Sequence, residues 1–193
     1  MLLRAASLAD THAIASALAG LARVGDIIVL AGEMGAGKTA FAQGFGRALG
    51  VTEPITSPTF TLVHSHPCAG KLTLHHADIY RLESTGDVDE LALPELAEFD
   101  GIVLVEWGDV AAAGFGDHLE VRLARDDLSG DDLSGDPVLG DPVVGDPVVD
   151  ERSEAVDDDF GLDEARLIEL QATGRSWAGR WDRVVAVLGA YQC

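Results

Sequence analysis

The stretch GEMGAGKT at residues 32–39 matches the pattern G-x-x-x-x-G-K-[ST]. It follows the almost wholly apolar run DIIVLA at residues 26–31, which predicts a strand buried on both faces. It precedes residues 39–49, which predict a helix closed by Gly50. A glycine-rich turn between a buried strand and a helix directs backbone N–H groups and the helix N-terminus at a phosphate. The stretch therefore predicts a phosphate-binding loop within an α/β fold.

Two side chains of this loop have separate chemical roles. Lys38 places a cation between the β- and γ-phosphates of a nucleoside triphosphate, and the Thr39 hydroxyl is a ligand for Mg²⁺. The sequence lacks N-K-x-D, the usual reader of guanine, so ATP is the expected nucleotide. The residues expected to contact ATP in this loop are Met34, Gly35, Ala36, Gly37, Lys38, Thr39 and Ala40.

A second apolar strand, predicted at residues 102–105, ends in Glu106 and Trp107. A carboxylate at this point of a nucleotide site holds Mg²⁺ or orients the attacking water. Many buried strands end in an acid, so the phosphate loop upstream is what favours a functional role for Glu106. For Trp107, packing is the default role of a large indole.

Two further segments allow both a functional and an ordinary structural interpretation. The run HADIYR at residues 76–81 places Asp78 within reach of a metal and Arg81 near a transferring phosphoryl group. The same run is also compatible with a solvated strand end and a satisfied histidine. The run SPTF at residues 57–60 is either a sensor of the γ-phosphate or a rigid turn.

Several other segments have the periodicity or composition of regular structure, and the strand at residues 118–123 is expected to pair antiparallel with the strand at residues 166–172. A turn is expected at residues 66–70. The predicted elements are a helix from Ser7 to about Gly25, strands at Thr59–His64 and Leu72–Ala77, a helix at Val88–Phe99 interrupted by Pro94, strands at His118–Leu123 and Arg166–Ala172, and a helix at Trp181–Leu188.

The charge of the chain is concentrated in one segment. The formal net charge is −20, from 33 acidic and 13 basic residues, and residues 126–164 contain 15 of the acids and one base. Residues 126–150 repeat every five residues as DDLSG, DDLSG, DPVLG, DPVVG and DPVVD. Proline and mutually repelling aspartates oppose compact structure, so residues 126–163 are interpreted as an acidic low-complexity insertion, disordered from Asp126 to Asp159. A calcium-binding solenoid is the alternative, although its repeat has nine residues.

The composition also bounds the function classes. A chain of 193 residues predicts one domain, residues 1–193. The acidic charge argues against DNA binding and polybasic membrane binding, because both need cations against phosphate. The two cysteines have no CxxC spacing, so neither a disulfide framework nor a zinc site is expected. No signal peptide or membrane-spanning segment is recognised, which favours the cytoplasm.

Taken together, the motifs of this chain resemble those of the TsaE family, small bacterial ATPases of tRNA threonylcarbamoyladenosine modification. The motifs are GEMGAGKT, SPTFTL, HADIYRL and an apolar strand ending in EW. The resemblance extends from Ser7 to Leu123 and resumes at Arg166. It implies a P-loop NTPase fold, a compact mixed β-sheet flanked by helices. It also implies slow, Mg²⁺-dependent ATP hydrolysis in service of a TsaB–TsaD complex, with tRNA contacted only indirectly.

The resemblance also implies roles for individual residues. Thr39 and Glu106 are the implied Mg²⁺ ligands, Lys38 the phosphate clamp, and Asp78 a group near the metal. The segment at residues 57–60 is the implied switch. In a separate region, Thr11 matches a threonine that lies near the nucleotide base in the family. Ala40 departs from the second hydroxyl that is common at this position, at a cost of about 1 kcal/mol in nucleotide binding.

Two other functions remain open at the level of sequence. A small-molecule kinase uses the same fold, but it needs an acceptor pocket and usually a mobile lid with several arginines, and no arginine cluster lies near a glycine hinge. A nucleotide-dependent interaction module with negligible turnover differs from a slow ATPase only in rate. An ATPase assay with and without partners separates the slow ATPase from the interaction module.

Overall fold

Residues 1–58, 61–82, 85–126 and 164–193 are described by the computed structural model of the chain. Seven strands form one mixed sheet. They are β1 (Leu2–Ala5), β2 (Ile27–Ala31), β3 (Val63–Pro67), β4 (Thr73–Asp78), β5 (Gly101–Glu106), β6 (His118–Arg125) and β7 (Arg166–Thr173). Their order in the sheet is β1-β7-β6-β2-β5-β4-β3. The pairs β6–β2, β2–β5 and β5–β4 are parallel, and the outer pairs are antiparallel.

Helices cover both faces of this sheet. They are α1 (Leu8–Ala19), α2 (Lys38–Leu49), α3 (Thr85–Asp89), α4 (Leu93–Asp100) and α5 (Trp181–Leu188). The central strand β2 is buried along its whole length, with successive side chains entering opposite layers. Ile28 and Leu30 share a core with Phe41 of α2, whereas Val29 shares a second core with Leu93 of α4. The mixed sheet and flanking helices confirm the predicted fold class. Among the described residues, no helix is long and apolar enough to cross a membrane.

Most elements predicted from local patterns are present, but several of their boundaries differ. The strand predicted at residues 59–64 is wrong in position, because β3 begins only at Val63. The helix predicted at residues 88–99 is instead two helices, α3 and α4, with the break before Leu93 rather than at Pro94. α1 begins after Ser7, whose hydroxyl accepts a hydrogen bond from the backbone N–H of Asp10, and ends at Ala19 rather than near Gly25. The predicted turn at residues 66–70 is wrong in its first half, because β3 extends to Pro67. A proline is tolerated there because β3 is the last strand of the sheet and Pro67 is its last residue.

Strand β1 has no counterpart among the elements predicted from sequence. Its four residues pair antiparallel with β7, from Leu2 opposite Glu169 to Ala5 opposite Arg166. Leu3 and Ala5 are fully buried, whereas Leu2 and Arg4 are exposed. A strand this short is stabilised by its neighbour in the sheet, which local periodicity does not reveal.

The predicted antiparallel pair of β6 and β7 is confirmed, and it extends to the start of the acidic insertion. Asp126 belongs to this pair rather than to the insertion, because its backbone N–H donates to the Ala165 carbonyl at 3.0 Å. Its buried carboxylate accepts a hydrogen bond from Nε of Arg4 at 2.6 Å. Residues 127–163 lie outside the described residues, so the expectation of disorder there stays a prediction.

A buried ion pair connects the start of β2 to the C-terminal part of the chain. Arg180 donates to both carboxylate oxygens of Asp26, at 2.7 and 2.6 Å, and also to the Leu21 carbonyl at 2.8 Å. Its guanidinium lies 4.1 Å from the ring centroid of Trp177. Both charged side chains are almost fully buried. Each charge therefore depends on the other for the interactions that water no longer provides.

Arg180→Ala is expected to lower the free energy of unfolding by about 3–5 kcal/mol, because it leaves the Asp26 carboxylate buried without its partner. Urea denaturation measures this loss. Arg183→Ala is the matched control, since Arg183 is exposed on the adjacent helix α5. Equal stabilities of the two variants would show that the buried pair contributes nothing beyond an ordinary surface arginine.

Candidate functional site

The candidate site lies where three parallel strands reach the same edge of the sheet. The segment at residues 32–39 follows β2, Asp78 ends β4, and Glu106 ends β5. Glu106 pairs in register with Leu30 on one side and with Asp78 on the other. Ligands of open α/β sheets bind at this carboxyl edge. The sheet therefore brings together residues that lie far apart in the sequence.

The conformation of the loop depends on two glycines. At Gly32, φ is 131° and a Cβ atom would lie 2.2 Å from the Leu123 carbonyl oxygen of β6. At Gly37, φ is 101°, a left-handed conformation immediately before α2. The first glycine lets the loop pass close to β6, and the second turns the chain into the helix. The backbone N–H groups at the start of α2 are thereby available to an anion.

The side chain of Lys38 folds back onto its own loop. Its ammonium donates to the carbonyl oxygens of Gly32 and Glu33, each at 2.8 Å, and lies 3.5 Å from the ring centroid of Trp107. Burial lowers the pKa of this ammonium, whereas the carboxylates of Glu106, Asp78 and Asp109 oppose that shift. The cation is therefore held at the sheet edge by carbonyls, a ring face and nearby negative charge.

Thr39 and Glu106 are in direct contact. The Thr39 hydroxyl donates to the two carboxylate oxygens of Glu106 at 3.0 and 3.1 Å. On the opposite side, Nε2 of His76 lies 2.9 Å from Oε1 of Glu106. Both Glu106 and His76 are buried. His76 therefore positions the carboxylate, a role that was not predicted from the sequence.

Asp78 has a separate set of partners beside Glu106. Its carboxylate accepts a hydrogen bond from the Ser57 hydroxyl and another, at 3.0 Å, from the backbone N–H of Tyr80. The structure thus connects the segment after α2 to the end of β4. Of the predicted switch at residues 57–60, the last two residues, Thr59 and Phe60, lie outside the described residues.

Trp107 contributes more than packing to this edge. Its backbone is left-handed, with φ of 63°, and its N–H donates to the Leu30 carbonyl at 2.9 Å. Its indole lies 4.7 Å from the ring of Tyr80, centroid to centroid. The indole thus contacts both the exposed Tyr80 ring and the ammonium of Lys38, and it covers the lysine from the side of β5.

Two arginines beside the loop escape prediction from sequence. The guanidinium of Arg125 lies 3.0 Å from the position of a Cβ at Gly35, and Nε of Arg166 lies 3.7 Å from that position at Gly37. They come from paired positions of β6 and β7. A cavity of about 300 Å³ opens beside Arg125, between the loop and the end of β6. Antiparallel pairing across the acidic insertion creates this cluster, so no contiguous motif contains it.

The remaining predicted contacts have less direct placements. Met34 is 71% exposed at the loop tip, whereas Ala36 and Ala40 are buried beneath it. Thr11 lies on α1, and its hydroxyl donates to the Ser7 carbonyl at 3.3 Å. Its predicted position beside a nucleotide base stays a prediction. Arg81 is exposed just beyond β4.

The donor set fits a magnesium nucleotide. A Cβ at Gly32 would collide with β6, and the left-handed Gly37 turns the chain into α2, whose first backbone N–H groups can face an anion. The hydroxyl of Thr39 and the carboxylate of Glu106 are oxygen donors within 3.1 Å of each other. Oxygen donors of this kind are the ones Mg²⁺ prefers.

Known proteins with similar sequences and structures agree on one family. The family described as "Threonylcarbamoyl adenosine biosynthesis protein TsaE" matches residues 5–131. The crystal structure of YdiB from Bacillus subtilis superposes with a TM-score of 0.61 and 26% identity, over 98% of this chain and 94% of that one.

Relatives with the same description come from several bacteria. The chain is 43% identical over 98 residues to the tRNA threonylcarbamoyladenosine biosynthesis protein TsaE of Bacillus subtilis, which is 51% of this chain and 60% of that protein. It is 40% identical over 125 residues to the protein of that name from Mycobacterium bovis, covering 60% and 74% of the two chains. The match thus spans less than two thirds of the Bacillus protein.

Gly32→Ala is expected to destabilise the protein by about 1–3 kcal/mol more than Gly25→Ala, because only the first adds a Cβ against the backbone of β6. Gly25 is the matched control, since its φ is 91° but a Cβ there has nothing within 4 Å. Both positions have positive φ, so backbone strain adds to the loss in both variants. Urea denaturation gives both values, and equal losses would contradict the close approach at Gly32.

Proposed function

Because the chain belongs to the TsaE family, we propose that it is an ATP-binding, slowly hydrolysing accessory protein of tRNA threonylcarbamoyladenosine biosynthesis. It acts in the cytoplasm on a TsaB–TsaD-type complex and contacts tRNA only through that complex. The observation that carries the proposal is the Thr39–Glu106 contact at the end of a phosphate loop. It places two oxygen atoms of the kind that bind Mg²⁺ next to the glycine-rich loop, at one edge of the sheet.

The chemistry assigned to the chain is positioning and electrostatic stabilisation, which dominate phosphoryl transfer. Lys38 exchanges its bonds to the Gly32 and Glu33 carbonyls for bonds to the β- and γ-phosphates. Thr39 and Glu106 would hold Mg²⁺, which would neutralise charge on the phosphate oxygens. His76 keeps the carboxylate of Glu106 in place.

Asp78 orients the attacking water. Its hydrogen bond from Ser57 couples this role to the segment that precedes residues 59–60. Arg125 and Arg166 add positive charge beside the loop, where the phosphates of the nucleotide are expected. These arginines offset part of the repulsion between phosphate and the buried carboxylates.

Lys38→Ala is expected to weaken ATP binding in the presence of Mg²⁺ by about 2–3 kcal/mol, roughly 30- to 150-fold, because charge-assisted phosphate bonds are lost. Isothermal titration calorimetry measures the affinity. Lys71→Ala is the matched control, since Lys71 is the only other lysine of the chain and is exposed between β3 and β4. Unchanged ATP affinity in Lys38→Ala would remove the loop from the proposed site. GTP is the comparison ligand and should bind more weakly.

Glu106→Gln is expected to reduce ATP hydrolysis by about 100-fold or more while leaving ATP affinity much less changed, because the carboxylate acts on metal and water geometry. The assay is run with and without a purified TsaB–TsaD complex, which should raise the rate of the parent protein. Glu95→Gln is the control, since Glu95 is exposed on α4.

Separate results would contradict the proposed interaction with a TsaB–TsaD complex. A parent rate that does not respond to the TsaB–TsaD complex, together with no ATP-dependent association in size-exclusion chromatography, would contradict the proposed partnership. Tight binding of tRNA by the isolated protein at physiological salt would contradict indirect contact. If Glu106→Gln hydrolyses ATP at the parent rate, the catalytic role belongs to another carboxylate, with Asp78 the next to test.

A further inference from the structure

Outside the phosphate-loop site, a second group of potential metal ligands lies at the β3 edge of the sheet. One ligand atom from each of Glu53, His64 and His66 lies within 4.8 Å of the other two. His64 and His66 are two residues apart on β3, so their side chains leave the same face of the strand. Their ring centroids are 4.3 Å apart. Glu53 comes from the segment between α2 and β3 and meets them from outside the strand.

His66 is the member of this group that points to a ligand. It is fully buried, and neither ring nitrogen has a hydrogen-bond partner among the described residues. Its Nδ1 lies 3.8 Å from Oε2 of Glu53, which is too long for a hydrogen bond. Buried polar atoms normally find partners, so two unpaired nitrogens on one ring call for an explanation.

We propose that Glu53, His64 and His66 bind one divalent transition-metal ion, with Zn²⁺ as the representative ion. Two imidazole nitrogens and a carboxylate suit zinc and its neighbours, whereas Mg²⁺ and Ca²⁺ prefer sets of oxygen atoms. Tetrahedral zinc with bonds of about 2.0–2.2 Å holds its ligand atoms about 3.3 Å apart. Because Glu53 and His64 are exposed, small side-chain rotations suffice to close the observed spacing. The expectation of no zinc site rested on the spacing of the two cysteines and did not consider this pair of histidines.

An ion at this position would restrain the segment of the chain that contains Ser57. Glu53 precedes and His64 follows the segment that contains Ser57, whose hydroxyl donates to Asp78. One ion bound to both flanks ties the two ends of this segment together. The ion thereby limits how far Ser57 can move from β4. A fourth coordination position remains for water or an external group, because three ligands come from the described residues.

The test is calorimetric titration of Zn²⁺ into chelator-stripped full-length protein in excess Mg²⁺, which occupies sites made only of oxygen. One ion per chain is expected, and His64→Asn and Glu53→Gln should each weaken its binding about tenfold or more. Both residues are exposed, so these variants should keep the metal-free melting temperature of the parent. The matched controls His12→Asn and Glu98→Gln should leave zinc affinity unchanged. Visible absorption of bound Co²⁺, lost in His64→Asn, is the second readout.

Three results would overturn the proposal. The first is that the parent takes up no stoichiometric Zn²⁺ in the presence of Mg²⁺. The second is that His64→Asn and Glu53→Gln bind Zn²⁺ like the parent. The third is that affinity falls in Glu106→Gln but not in His64→Asn, which would place the ion at the phosphate loop instead.

Discussion

The register of β5 between β2 and β4 is the constraint on which the candidate site depends. It sets Glu106 beside Leu30 and Asp78, at the edge where the phosphate loop begins. A slip of one residue in a strand sends every side chain to the opposite face. Glu106 would then lose both Thr39 and His76, whose contacts require the present face. The burial of the apolar residues of β5 therefore fixes the position of the charged side chain of Glu106 at the end of the same strand.

The ammonium of Lys38 already interacts with its own loop. Lys38 has two carbonyl partners and an aromatic ring in contact, so its ammonium is not a free cation. In the nucleotide binding that we propose, a phosphate would replace these interactions, and the affinity would reflect the difference between two bonded states of the ammonium. Trp107 takes part in this exchange because it borders the lysine and is itself fixed to β2 through the Leu30 carbonyl. The backbone of β2 thus holds both the loop and the ring that covers it.

Sequence patterns predict the elements whose signal is local. The apolar runs of β2 and β5, the glycine loop and the helix at residues 181–188 all carry their own pattern. The sequence does not disclose contacts between distant segments. Arg180 meets Asp26 across 154 residues, and β1 is a strand only because β7 lies beside it. The place of His66 on the same strand as His64 was not predicted for another reason, since Pro67 suggests a turn unless the strand is known to be the outermost one.

The buried Asp26–Arg180 pair has a consequence for how the chain matures during synthesis. A ribosome makes Asp26 and β1 early, and it makes β7 and Arg180 late. Until the late segments emerge, the nascent chain has a carboxylate at the base of its central strand without a counter-charge and a first strand without a neighbour. The β1–β7 pair and the Asp26–Arg180 ion pair can therefore form only after the acidic insertion has been synthesised. During that interval the exposed edge of β6 is the surface most in need of protection from other nascent chains.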